Sequence, residues 1–156
     1  MQPLSIVVAV EADGWPEGLE QITEIAIGEA LSQSSAKLAG VAELSVVLAD
    51  DATQRELNKQ WRGQDKSTNV LSFPQLEHFS PVSGLIGDII LARETLEREA
   101  ADLQVSFTDH YTHLVVHGFL HLLGYDHETE EEALVMEGLE TQILATLGIA
   151  DPYADS

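Results

Sequence analysis

Short runs of β-branched residues alternate with stretches whose apolar positions recur every three or four residues. Ser5 to Glu11, Leu44 to Ala49, Asn69 to Phe73 and Leu85 to Leu91 carry the first pattern and predict four strands. Gly84 and Gly87 predict a turn and a bulge where the last of these begins. The helical spacing first appears at Leu19, Ile22, Ile25, Ala26 and Ala30, which predicts a helix from Leu19 to Leu31 after the turn-rich Asp13-Gly-Trp-Pro-Glu-Gly18. Further helices are predicted over Asp51 to Arg62, stopped near Gly63, over Glu94 to Leu103, and over Ser106 to Leu123 with Ser106 as its N-cap. Thr129 with Glu132 forms a capping box that opens a last helix, with Val135, Leu139, Ile143 and Leu147 on one stripe. The order β-α-β-α-β-β-α-α-α predicts an α+β fold, one mixed sheet of about four strands covered by helices. No repeat or low-complexity tract interrupts it, and residues 1–156 are expected to form a single domain.

Composition narrows the chemistry. There is no cysteine, which excludes disulfides, thiolate metal sites and cysteine nucleophiles and fits a reducing compartment. Asp and Glu number 27 against 7 Lys and Arg, a formal charge of −20. A field of that sign does not hold nucleic acid, so a polyanionic partner must be gripped locally. Apolar runs such as Ile6 to Val10 are far shorter than the ~20 residues of a membrane span, and no signal-peptide pattern is seen, so no membrane partner and a cytoplasmic location are expected.

Five of the six histidines lie between His110 and His127. His117 and His121 are one helical turn apart on one face, where two imidazoles can share a cation. Gly124 can end the helix in the left-handed conformation and turn the chain back, bringing His127 to the same point. Two ligands from a helix and one from the turn beyond it leave a tetrahedral ion one open position, the mark of a catalytic site. The spacing matches the long zincin motif except that Gly118 stands where the protease carries its general-base glutamate. His113 and His110 extend the histidine stripe backwards. Each suits an outer role or an extra ligand, though packing or surface placement suits both better, and Asp126 and Glu128 suit orienting an imidazole, relaying a proton or, better, simple solvation.

Arg55, Lys59, Arg62 and Lys66 supply four of the seven basic residues in one short stretch. The first three share a helix face by spacing. That face suits a phosphodiester, since arginine clamps phosphate oxygens and stabilises developing charge. It equally suits salt bridges to neighbouring acids.

The block His117-Gly-Phe-Leu-His121-Leu-Leu-Gly124-Tyr-Asp-His127 resembles the signature of the YbeY endoribonucleases, zinc-dependent RNases of bacterial ribosomal RNA maturation. Trp61-Arg-Gly-Gln-Asp-Lys-Ser-Thr-Asn-Val-Leu-Ser-Phe-Pro74 and Gly87-Asp-Ile-Ile90 resemble two further blocks of that family, and the likeness extends to the ending Leu147 to Tyr153. The resemblance implies that His117, His121 and His127 bind one Zn2+ per chain. It implies that Arg62 is a functionally critical residue near the metal, and that the fold is the family's mixed sheet with helices. Single-stranded RNA would be the substrate, cleaved in maturation of the 3′ end of small-subunit ribosomal RNA and in ribosome quality control. Arg55, Lys59 and Lys66 would join Arg62 in holding it, and the small subunit or its proteins would be partners. Two other functions stay open: a non-enzymatic ribosome-assembly factor with a structural metal, and a zincin-like hydrolase of another substrate. Three imidazoles suit zinc, but also copper, iron and nickel.

Overall fold

The computed structural model describes residues 4–34, 38–63, 68–74, 82–125 and 128–152. Strand β1 (Leu4–Val10) leads through helix α1 (Leu19–Gln33) to β2 (Leu38–Ala49), then α2 (Asp51–Arg62), β3 (Val70–Pro74) and β4 (Val82–Ala92). Helices α3 (Arg93–Leu103), α4 (Phe107–Leu123) and α5 (Glu130–Thr146) follow without another strand. The four strands form one mixed sheet in the order β1-β2-β4-β3, parallel except for the antiparallel pair β3 and β4. The expected α+β architecture is therefore present. Among the described residues no helix is long and apolar enough to cross a membrane.

Strand β2 pairs on both edges, and its inward residues Ala42, Leu44, Val46 and Leu48 alternate into the main core. Ile86, Ile89 and Leu91 of β4 enter the same core. Ile86 and Ile89 are three apart, which strict alternation forbids. The register resolves this: Glu43 pairs with Leu85 and Leu44 with Gly87, so Ile86 is the extra residue of a bulge. The bulge was expected there. The turn was not found, because Gly84 pairs with Ala42 within the strand.

Most helices cover the core face of the sheet. Residues of α1, α4 and α5, with Leu96 of α3, pack into the main core. The other face carries a smaller cluster of Ala49, Leu71 and Ile90, against which Leu57 of α2 packs. Asp50 caps α2 by accepting from the Thr53 amide, and the Thr53 bonds hold its carboxyl below the usual range. Ser106 and the Thr129–Glu132 box cap α4 and α5 as their sequences predict.

Both predicted stripes face the core except at one position each. In α1, Ile25 is 55% exposed, while Thr23 and Ile27 are buried. Thr23 can be buried because both its hydrogen-bonding capacities are used. Its hydroxyl donates to the Leu19 carbonyl at 2.7 Å, so the Tyr111 hydroxyl, 2.6 Å away, is the donor to Thr23. In α5, Val135 is 57% exposed, and the buried face is Met136, Glu140, Ile143 and Leu144. A glutamate in that row breaks the apolar pattern, and its partners explain it below.

Burial pushes the Tyr111 hydroxyl up to about 12 from 10.0, against the opposing Thr23 bond. The folded state thus holds this proton more tightly than the unfolded chain does. Its contribution is complete below the unfolded value and falls away as pH rises from about 10 towards 12. Tyr111→Phe is expected to lower stability at pH 7 by about 1 kcal/mol, read from urea unfolding. It should also lessen the alkaline loss of stability between pH 10 and 12. Equal alkaline slopes for both proteins would exclude this group as the cause.

Candidate functional site

Helix α4 is the centre of the molecule. From residue 110 to residue 125 every side is buried except at His113, His117 and His121. These positions are four apart, so they form a single stripe along the helix. An interior helix whose only solvent-reaching stripe is imidazole is not explained by packing, since an apolar or small residue would serve each position better. Ring centroids of His117 and His121 are 4.8 Å apart with planes at 81°, and His113 stands 6.4 Å from His117.

Helix α5 supplies what the sequence reading missed. Glu140 is 0% exposed and its carboxylate meets two of the stripe's imidazoles. Oε1 lies 2.8 Å from His113 Nε2, and Oε2 lies 2.9 Å from His117 Nδ1. The available signal was an acid beside Leu139 of the predicted stripe, in the buried row Met136, Glu140, Ile143, Leu144. A second pair lies at the start of α4, where buried His110 places Nε2 2.8 Å from Glu99 Oε1. Glu99 also accepts from the Asn69 amide nitrogen at 3.2 Å, which ties α3, α4 and the start of β3 together. His110 therefore serves the scaffold, while His113 shares its acid with His117.

Gly124 ends α4 at φ 116°, in the left-handed region that glycine adopts without strain. This is the reversal expected from the motif. The third candidate ligand, His127, lies outside the described residues, as does Asp126. Among the described residues no group of three potential ligands converges on a metal-sized site. Glu128 is exposed. The donor set nonetheless fits a zinc ion: two imidazole nitrogens on adjacent turns, one of them with its other nitrogen engaged by a carboxylate, is the arrangement typical of histidine ligands.

Gly118 faces the sheet rather than the imidazole stripe. A Cβ there would stand 3.2 Å from Ile89 Cγ2 and Ser72 Oγ, and 3.4 Å from Val70 Cγ2. Glycine within a helix costs about 1 kcal/mol relative to alanine, and here that allows α4 to lie close on β3 and β4. A side chain at this position would press on Ile89, Ser72 and Val70 from its first carbon. Close packing on the sheet thus accounts for a glycine where the protease has its general base.

The basic stretch divides. Arg55 and Lys59 are exposed on α2. Arg62 is the last residue of that helix, and its side chain and Lys66 lie outside the described residues. Trp61 is 69% exposed and, with Leu57, Phe73, Asp88 and Ile90, lines a cavity of about 300 Å³. Phe73 faces this cavity from β3, while the adjacent Ser72 lies against Gly118. The C-terminal halves of α2 and α4 therefore flank the same stretch of the edge strand from opposite faces of the sheet.

The family described as Endoribonuclease YbeY matches residues 11–148. A protein of Allorhizobium ampelinum with that name is 49% identical over 162 residues, covering 99% of this chain and 97% of its own. One of Rhizobium johnstonii with the same name is 51% identical over 162 residues, covering 98% and 95%. The solution structure of a Thermotoga maritima protein superposes with a TM-score of 0.57 at 26% identity, covering 96% of this chain and 99% of its own.

Gly118→Glu is expected to lower the melting midpoint by about 5–10 °C, since it overpacks the α4–sheet contact and buries a charge. It is expected to confer no peptidase activity on casein with zinc present. Unchanged melting, or peptide hydrolysis, would show that position 118 faces the histidines.

Proposed function

Because the chain belongs to the YbeY endoribonuclease family, we propose that it cleaves single-stranded RNA in ribosomal RNA maturation, using the histidine stripe of α4 as its metal face. The observation that carries this reading is the stripe itself, three imidazoles that alone reach solvent among residues 110–125. His117 and His121 with His127 are assigned as the ligands of one Zn2+. When bound, the ion supplies Lewis acidity to water or to the phosphate beside it.

The protein's own residues hold the polyanion. Arg62, at the end of α2, is assigned to neutralise the charge that grows on the reacting phosphate. Arg55, Lys59 and Lys66 are assigned to flanking phosphates, a local grip on a chain whose overall charge of −20 repels RNA. That acidity suits contact with basic proteins of the ribosomal small subunit, which would bring the substrate to the site in the cytoplasm.

Purified protein should carry about one zinc per chain, cleave a single-stranded RNA, lose cleavage to a chelator and regain it with zinc. His121→Ala is expected to lower bound metal to well below one per chain. Undiminished metal content would overturn the ligand assignment. Arg62→Ala should keep its metal and cleave at least about tenfold more slowly, since a charge-assisted contact is worth ~1.5–3 kcal/mol. Cleavage at the wild-type rate would remove Arg62 from the reaction.

A further inference from the structure

Glu140 is a fully buried acid on the apolar face of α5, with Met136, Ile143 and Leu144 in the same row. Taking a carboxylate out of water costs several kcal/mol unless donors surround it, and an apolar side chain would fill the position without that penalty. A local rule broken in this way marks a functional position more often than a defect. Glu140 is not among the residues that the histidine motif or the basic stretch singles out. Its contacts say what it does.

An ionised carboxylate accepts hydrogen bonds and donates none. His117 Nδ1, 2.9 Å from Oε2, must then carry the ring proton, and so must His113 Nε2, 2.8 Å from Oε1. A neutral imidazole protonated on Nδ1 keeps its lone pair on Nε2. We propose that Glu140 is the positioning residue of the metal face: it fixes His117 as the Nδ1–H tautomer, so that Nε2 is the nitrogen offered to a cation. His113 has the opposite assignment. With its Nε2 bound to Glu140, it braces the carboxylate from one side while His117 is held on the other. One acid therefore sets two rings one helical turn apart, and α5 reports to the site through it. A carboxylate behind a ligating imidazole also raises the basicity of the ligand.

This inference rests on the metal reading above, and the two are separable. The first measurement is the long-range 1H–15N spectrum of the wild-type histidines, without and with zinc, which reads each tautomer directly. His117 is expected with its proton on Nδ1 in both states. A proton on Nε2 in the zinc-free protein would overturn the role of Glu140, whatever the metal does. The second is zinc affinity by competition with a chelator of known strength. Glu140→Gln offers one acceptor oxygen where the acid offered two, and its amide NH2 cannot accept from the second ring. The variant is expected to bind zinc 10- to 100-fold more weakly. It should also show a mixed His117 tautomer. A residue serving packing alone would lower the zinc-free melting point and leave both readouts in place. Affinity within twofold of wild type, with His117 still protonated on Nδ1, would overturn the proposal. Should Glu140→Gln fail to fold, the wild-type spectrum decides alone. Wild-type protein that binds no zinc would refute the metal reading, and the tautomer of His117 would still judge Glu140.

Discussion

A carboxylate without water must be surrounded by donors, and in this protein the donors are two imidazoles of the central helix. The clamp between Glu140 and His113 and His117 joins α5 to α4 through groups that would otherwise be costly to bury together. It also dictates which edge of His117 remains for chemistry. The last helix, which touches nothing in the motif by sequence, thus becomes part of the site.

The remaining sides of α4 explain why the stripe is where it is. Gly118 lets the helix settle on Ile89, Ser72 and Val70, and the bulge at Ile86 turns a second isoleucine of β4 into the same core. Two turns earlier on the same face, Tyr111 and Thr23 tie α4 to α1 with one hydrogen bond whose direction is fixed. From residue 110 onward the other positions of α4 are buried, and only the histidine row reaches solvent. Rigid placement of this kind suits ligands that must meet one ion without reorganisation.

Much of this was legible in the chain. The four strands, five helices and their order follow from periodicity, and Ser106, the Thr129–Glu132 box and Gly124 mark their ends by well-defined chemistry. The first half of β2 was not legible: Leu38 to Glu43 is rich in small residues, and its strand conformation comes from pairing with β4 at Leu38 and with both neighbours only from Ala42. On α5 periodicity finds Leu139, Ile143 and Leu147 but also selects the exposed Val135, and it passes over Glu140 because it treats any acid as exposed. Glu140 is buried by virtue of partners 23 and 27 residues earlier in the chain, which no local pattern contains. The same blindness affected Gly118, whose meaning lay in Ser72 and Ile89 rather than in the motif.

The central claim is that imidazole nitrogens of this stripe and of the turn beyond it hold one zinc ion with a position left open. Zinc K-edge X-ray absorption of the purified protein tests it most directly. The account predicts three imidazole ligands at about 2.0–2.1 Å, with the multiple-scattering pattern of the rings, and one further light atom. A shell of oxygens without imidazole scattering, or with a single imidazole, would contradict it.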